Sequence, residues 1–250
     1  MSAFEIIDSH LHVYDLRVRS NFPNQTPTHA FPSVENEGAI VMDMSQDYAK
    51  EIANQSGVKK VVFVMCFDDC PEEAEWVYAN AQKVDLIVGI VAGLDLTKHD
   101  KLKSYINKFK IEFSRGPKFV GIRHHICYND KLLWSPDFQK GLLILEEENV
   151  PFDLGINDTI LSHVPFLAQK FPKLKMVIDH LAKPQFMNGQ EALDKWKQDI
   201  VEIAKWPNVY MKLSGLVSDL RKAEPWSLEL FQPYIDHCIK QFGAKRSLKN

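Results

Sequence analysis

The sequence is poor in cysteine and lacks both long apolar runs and an excess of either charge. Four irregularly spaced cysteines in 250 residues indicate neither a disulfide framework nor a zinc knuckle. The longest apolar run, Val61 to Phe67, is far shorter than the roughly 20 residues that cross a bilayer, and the N-terminus lacks signal-peptide features. The 30 basic and 33 acidic residues are scattered, with no basic stripe for nucleic acid. These absences predict a cytoplasmic protein without a membrane or nucleic-acid partner.

Short β-branched runs alternate with amphipathic segments along the whole chain. Apolar residues make up 45% of the sequence and charged residues 25%, which suits one ordinary domain spanning residues 1–250. Alternation of this kind is typical of strand–helix units around a parallel sheet. We predict strands over seven runs: Glu5 to Val13, Val58 to Cys66, Leu86 to Ala92, Phe119 to Ile126, Pro151 to Ile156, Lys175 to Leu181 and Asn208 to Ser214.

The spacing of these runs favours a (β/α)8 barrel of the TIM type. Runs two to seven start 24 to 33 residues apart, and about 250 residues is the usual length of that fold. An open doubly wound sheet is the main rival, but no G-x-G-x-x-G or P-loop follows a strand. Residues 15–44 are expected to form a long loop over one end of the barrel. Only seven residues follow Gly243, so this chain is expected to lack the eighth strand and its helix and to be C-terminally incomplete.

The first predicted strand carries two histidines near its C-terminal end. Period-2 alternation puts Asp8, His10 and His12 on one face, and in a barrel the C-terminal ends of the strands form the mouth of the active site. An H-x-H pair there can hold a divalent metal or donate hydrogen bonds to a substrate carbonyl or carboxylate. The pair alone is equally compatible with two structural histidines.

Ionisable residues recur near the ends of other predicted strands. Alternation points Arg123, Asp153 and Lys212 inward, but it does not decide between His124 and His125 or between Asp179 and His180. Each such residue would need a buried partner if it served packing alone, so an active site is the better interpretation. No G-x-S-x-G nucleophile motif competes with it.

Six segments together resemble the amidohydrolase-related lactonases, the group that includes fuconolactonase and pyrone-dicarboxylate lactonase. They span nearly the whole chain in the family order: DSHLHVYD (8 to 15), GIVAGLDLT (89 to 97), FVGIRHH (119 to 125), PFDLGI (151 to 156), VIDHLAKP (177 to 184) and NVYMKLSGL (208 to 216). The resemblance implies a (β/α)8 barrel that hydrolyses the lactone of a sugar acid or another small carboxylated ring. Its place would be in sugar-acid metabolism.

The resemblance also implies roles for individual residues. His10 and His12 match the strand-one pair, and His180 matches the strand-six histidine that polarises the lactone carbonyl; these three are the expected catalytic residues. The expected substrate-binding residues are Arg123, His124, Asp153, Lys183 and Lys212. No cofactor is expected to be required, although His10, His12 and His180 would be the ligands if one divalent metal such as zinc were bound.

The family carboxylate that accepts the proton of the attacking water stands on strand eight, in a Gly-Ser-Asp-Trp-Pro segment that this chain lacks. Three interpretations follow. The chain is a truncated form of a longer enzyme, an inactive variant that binds a ligand or regulates a partner, or an active enzyme that uses Asp153 or Asp179 as base. A metal-dependent hydrolase or decarboxylase of the same superfamily is a further alternative. Exposed strand edges would favour a homodimer that pairs them.

Overall fold

The computed structural model describes residues 6–12, 55–81, 85–127, 129–217, 220 and 227–249. The loop predicted over residues 15–44 lies outside these ranges. The chain divides into two compact units, Met1–His124 and His125–Asn250. No helix among the described residues is long and apolar enough to span a membrane.

The first unit contains four strands and two described helices. Its strands lie in the sheet in chain order and pair in parallel. Helix α1 starts at a proline followed by two glutamates, which suit the positive end of a helix dipole. The elements are β1 (Ile6–Leu11), β2 (Val58–Val64), α1 (Pro71–Ala81), β3 (Ile87–Gly93), α2 (His99–Glu112) and β4 (Lys118–His125).

The second unit repeats the same alternation. Its four strands also follow chain order and pair in parallel. Three short 3-10 helices interrupt the connections, at Asp130–Trp134, Leu161–His163 and His180–Ala182. The longer elements are α3 (Pro136–Glu147), β5 (Phe152–Gly155), α4 (Val164–Lys170), β6 (Met176–Ile178), α5 (Gly189–Ala204), β7 (Val209–Leu213), α6 (Leu228–Phe242) and β8 (Ser247–Lys249).

Eight parallel strands that alternate with helices define the (β/α)8 class, so the predicted fold class is confirmed. All seven predicted strands are present, with ends that shift by at most three residues. The largest shift is at β6, which ends at Ile178 instead of Leu181.

The expectation that the chain lacks an eighth strand is wrong. Ser247–Lys249 form β8, which pairs in parallel with β7 over Met211 to Leu213. Arg246 fixes the start of this strand, because its guanidinium donates hydrogen bonds to the carbonyls of Ala204, Trp206 and Val209. Three residues are too short for a periodic signal, which is why the sequence did not reveal them.

The four cysteines are buried, and none of them is in a disulfide, in agreement with their irregular spacing. Burial raises the pKa of Cys70 to about 12, which keeps this sulfur in the unreactive thiol form at neutral pH.

Candidate active site

In the first unit, His10 and His12 meet at the end of β1. Their Nε2 atoms lie 3.1 Å apart, and the rings are nearly perpendicular with centroids 4.7 Å apart. The Asp8 carboxylate accepts the backbone N–H of His10 at 2.8 Å and so fixes the strand end. At this separation the N–H of one ring donates to the lone pair of the other, unless a cation lies between the two nitrogens.

A backbone carbonyl decides the tautomer of His12. Its Nδ1 lies 2.9 Å from the carbonyl oxygen of Val64. Because a carbonyl only accepts, Nδ1 carries the proton, and Nε2 of the neutral ring offers a lone pair. This is the arrangement of metal-binding histidines, which donate their other N–H to a carbonyl or carboxylate.

Arg123 projects from β4 and is 3% exposed. Its Nη1 donates to the carbonyl of Met65 at 3.4 Å. Glu73 lies in the first turn of α1, and its carboxylate accepts the backbone N–H groups of Cys66 at 3.0 Å and Phe67 at 3.3 Å in the loop after β2. Burial raises the pKa of Glu73 to about 8, although these hydrogen bonds and the charge of Arg123 act in the opposite direction.

His124, next along β4, has the opposite tautomer to His12. The backbone N–H of Leu96 donates to its Nδ1 at 3.2 Å, so the proton of the neutral ring sits on Nε2. His124 is therefore a hydrogen-bond donor through Nε2, which suits a substrate oxygen rather than a metal.

In the second unit, Lys212 of β7 is buried between two carboxylates. Its ammonium contacts Asp153 of β5 and lies 3.1 Å from Asp179, and each of the three residues is at most 3% exposed. Two carboxylates and one ammonium carry a formal charge of −1. This charge favours a cation or a positively charged histidine nearby.

His180 starts a segment of unusual backbone geometry directly after β6. His180, Leu181, Ala182 and Lys183 all have positive φ angles between 49° and 59°. The Nδ1 atom of His180 lies 2.7 Å from the hydroxyl oxygen of Ser214, at the end of β7. The half-buried Lys183 ends this left-handed turn.

The turn determines how the side chains of Asp179 and His180 are oriented, which alternation alone did not decide. Asp179 contacts Lys212, and the following residue, His180, contacts Ser214, so both side chains reach the end of β7. Successive residues share a side here because β6 ends at Ile178 and the backbone becomes left-handed at His180. The faces predicted for Asp153 and Lys212 are consistent with their burial.

The profile of the amidohydrolase family matches residues 7–248, nearly the whole chain. The chain belongs to the amidohydrolase family. The resemblance seen in the sequence is thereby confirmed, and the chain is a hydrolase of this family rather than an unrelated barrel.

This amidohydrolase is similar to one curated relative and to several solved structures. The L-fucono-1,5-lactonase of Burkholderia ambifaria is 27% identical over 244 residues, which cover 96% of this chain and 77% of that protein. The crystal structure of a Burkholderia multivorans amidohydrolase with bound zinc superposes with a TM-score of 0.80 at 21% identity, covering 99% of this chain and 84% of that one. A probable 2-pyrone-4,6-dicarboxylic acid hydrolase of Acinetobacter baumannii with citric acid bound has a TM-score of 0.72 at 16% identity, covering 99% and 83%.

The donor set of the amidohydrolase fits a divalent metal. Two nitrogens that each lie about 2.0–2.1 Å from one tetrahedral zinc ion are roughly 3.3 Å apart, close to the separation of the His10 and His12 Nε2 atoms. His12 also has the ligand tautomer. The expectation that no cofactor is required has no support among the described residues.

Sequence reasoning gave no role to Ser214 or Glu73. Alternation did place Ser214 on the inner face, but its contact with His180 joins residues 34 positions apart. Glu73 looked like an ordinary acidic residue in the first turn of a helix. Its burial at 3% exposure distinguishes it from its exposed neighbour Glu72.

Proposed function

We propose that this amidohydrolase opens the lactone ring of a small sugar acid by attack of water on the carbonyl carbon. The observation that carries the proposal is His180, a strand-end histidine whose Nδ1 is bound by a buried hydroxyl beside a buried carboxylate–lysine cluster. The extended similarity to a fuconolactonase supports the same substrate class.

In the proposed reaction, Nε2 of His180 donates a hydrogen bond to the lactone carbonyl oxygen. Negative charge grows on that oxygen as water adds, so the hydrogen bond is stronger in the transition state than in the ground state. The ester C–O bond then breaks, and the ring oxygen leaves as a hydroxyl group. The product is an open hydroxy acid.

We propose that Asp179 accepts the proton of the attacking water. Asp179 immediately precedes His180 and contacts Lys212. Lys212 compensates one of the two negative charges of Asp153 and Asp179, and we propose that it keeps Asp179 ionised and able to accept a proton.

We propose that Arg123, His124 and Lys183 are substrate-binding residues. His124 donates through Nε2, whereas Arg123 and Lys183 are cationic, so each of these side chains suits a hydroxyl or carboxylate oxygen of the substrate. Asp153 and Lys212 are buried and paired, and in this proposal they set the charge of the site.

His10 and His12 of the first unit are the residues that would hold a divalent metal. Such an ion supplies Lewis-acid polarisation of a carbonyl and lowers the pKa of bound water. His12 contributes its Nε2 lone pair to this set, because Val64 holds the proton on Nδ1.

The experiment measures proton release from a panel of sugar-acid lactones, with and without added zinc. We expect His180→Ala and His12→Ala each to lower turnover by at least about 100-fold while the protein stays folded. His163→Ala is the matched control, because His163 lies on a 3-10 helix against Trp134 and is expected to keep wild-type turnover. Wild-type turnover in both His180→Ala and His12→Ala contradicts the proposal.

A further inference from the structure

We infer that Ser214 and Gly215 are positioning residues that form a seat for the His180 imidazole and direct its Nε2 toward the reacting group. This inference rests on the proposed function only in naming His180 as the catalytic group. The seat itself is a contact between the end of β7 and the turn after β6.

Gly215 allows the His180 ring to lie directly against the backbone. A Cβ atom built on Gly215 would lie 2.7 Å from Cγ and 2.8 Å from both Cβ and Nδ1 of His180. Real Cβ atoms do not approach other atoms this closely, so any other residue here would displace the ring or the strand end. Gly215 also has a φ of +68°, a conformation that side chains disfavour.

Ser214 fixes the rotation of the same ring. Its hydroxyl is buried, with the residue 4% exposed, and lies 2.7 Å from Nδ1. A hydroxyl both donates and accepts, so it can satisfy Nδ1 in either tautomer. Because Nδ1 is engaged, Nε2 is the nitrogen that meets the substrate carbonyl or a metal.

The backbone at His180 has a strained conformation, so contacts such as those of Ser214 and Gly215 are needed to hold the ring in place. The left-handed region is unfavourable for L-residues, and four such residues occur in succession from His180 to Lys183. The indole N–H of Trp196 donates to the carbonyl of Leu181 at 2.9 Å and holds the turn from the α5 side. Such strain persists only where surrounding contacts determine the conformation.

The first test compares Ser214→Ala with Ser214→Thr. Loss of the hydroxyl is expected to lower kcat by about 10-fold to 100-fold with KM changed less than about twofold, and the threonine hydroxyl is expected to restore much of kcat. A Ser214→Ala enzyme with wild-type kcat, or one altered only in KM, overturns the inference.

The second test compares two glycines with similar left-handed φ angles. Gly215→Ala is expected to lower kcat by about 100-fold, because a displacement of the His180 ring by about 1 Å costs that much. Gly189→Ala is the control: its φ is +78°, but nothing lies within 4 Å of the added Cβ, so it tests strain without the clash. Equal losses of kcat in the two variants overturn the inference.

A spectroscopic test separates the inference from the proposed function. In protein with 15N-labelled histidine, the His180 ring signals are assigned by their loss in His180→Gln. Ser214→Ala is expected to shift the Nδ1 signal of His180 and to leave the His163 signals unchanged. Unchanged His180 signals overturn the inference, whereas a shifted signal in a protein that hydrolyses no lactone supports the seat and overturns only the proposed function.

Discussion

Backbone groups decide which nitrogen of each candidate histidine is available for chemistry. His12 donates from Nδ1 to the Val64 carbonyl, whereas His124 accepts at Nδ1 from the Leu96 amide. His12 thus offers a lone pair at Nε2, and His124 offers a proton there. Both histidines belong to the first unit, yet they suit different partners.

The two tautomers predict that loss of His12 and loss of His124 affect zinc binding differently. His12→Ala is expected to weaken zinc binding by at least 10-fold, because a ligand is lost, while His124→Ala is expected to leave the affinity within about twofold. Competition with a coloured zinc chelator measures both. Equal weakening in the two variants would contradict the tautomer assignment.

Lys212 is the residue on which the charge balance of the second unit depends. Lys212→Met would leave Asp153 and Asp179 buried without their cation and is expected to lower the free energy of unfolding by about 3–5 kcal/mol. Adding Asp153→Asn and Asp179→Asn removes the uncompensated charges and is expected to recover much of this loss. Urea denaturation measures both proteins, and a loss below about 1 kcal/mol in Lys212→Met would contradict the account.

The raised pKa of Glu73 predicts that the free energy of unfolding depends on pH. Its pKa rises from 4.5 in the unfolded chain to about 8 in the fold, so between these values the folded state keeps a proton that the unfolded state has lost. Its contribution is fully present below pH 4.5, falls as the pH rises, and is gone above about pH 8. The difference in unfolding free energy between wild type and Glu73→Gln should decrease over this window, and a constant difference from pH 5 to pH 9 refutes the assignment.

At the scale of elements, the strand ends determine which side chains can serve the site. Period-2 alternation put Asp153 and Lys212 on the same face, and their mutual contact is consistent with this, because β5 and β7 stay extended through these residues. It left the faces of Asp179 and His180 undecided, because β6 ends at Ile178 and a left-handed turn of non-glycine residues has no clear sequence signal.

Two glycines of β3, Gly89 and Gly93, test how closely the loop after β2 packs against this strand. A Cβ on Gly93 would lie 2.3 Å from the Phe67 carbonyl oxygen, whereas a Cβ on Gly89 would meet the Val120 side chain at 3.0 Å. The Phe67 carbonyl is part of the backbone and cannot move aside, whereas the exposed Val120 side chain can. Gly93→Ala is expected to cost about 1–3 kcal/mol of unfolding free energy and Gly89→Ala less, as measured by thermal denaturation; the reverse order would contradict this packing.

At the scale of the whole molecule, the sequence predicted the class of fold because strand–helix alternation is a local, repeated signal. It missed β8, where three residues are too few to show a period. It identified His10, His12 and His180 as candidates, but the contacts that orient them join His12 to Val64 and His180 to Ser214, 52 and 34 positions away. Long-range partners of this kind follow from packing and have no local pattern.

Two findings bear on the functional alternatives that the sequence left open. They are membership of the amidohydrolase family and the presence of β8. The inactive seven-stranded variant was inferred from a missing strand, and that strand is present. Asp179 takes the role of base in the proposed mechanism because it directly precedes His180 and contacts Lys212.

The most direct measurement is mass spectrometry of the product formed from a sugar-acid lactone in water enriched in 18O. The account predicts enzyme-dependent opening of the ring with one heavy oxygen in the new carboxylate, and loss of this product in His180→Ala. A product that has lost carbon dioxide, or the absence of any enzyme-dependent uptake of 18O across the lactone panel with zinc present, would contradict it.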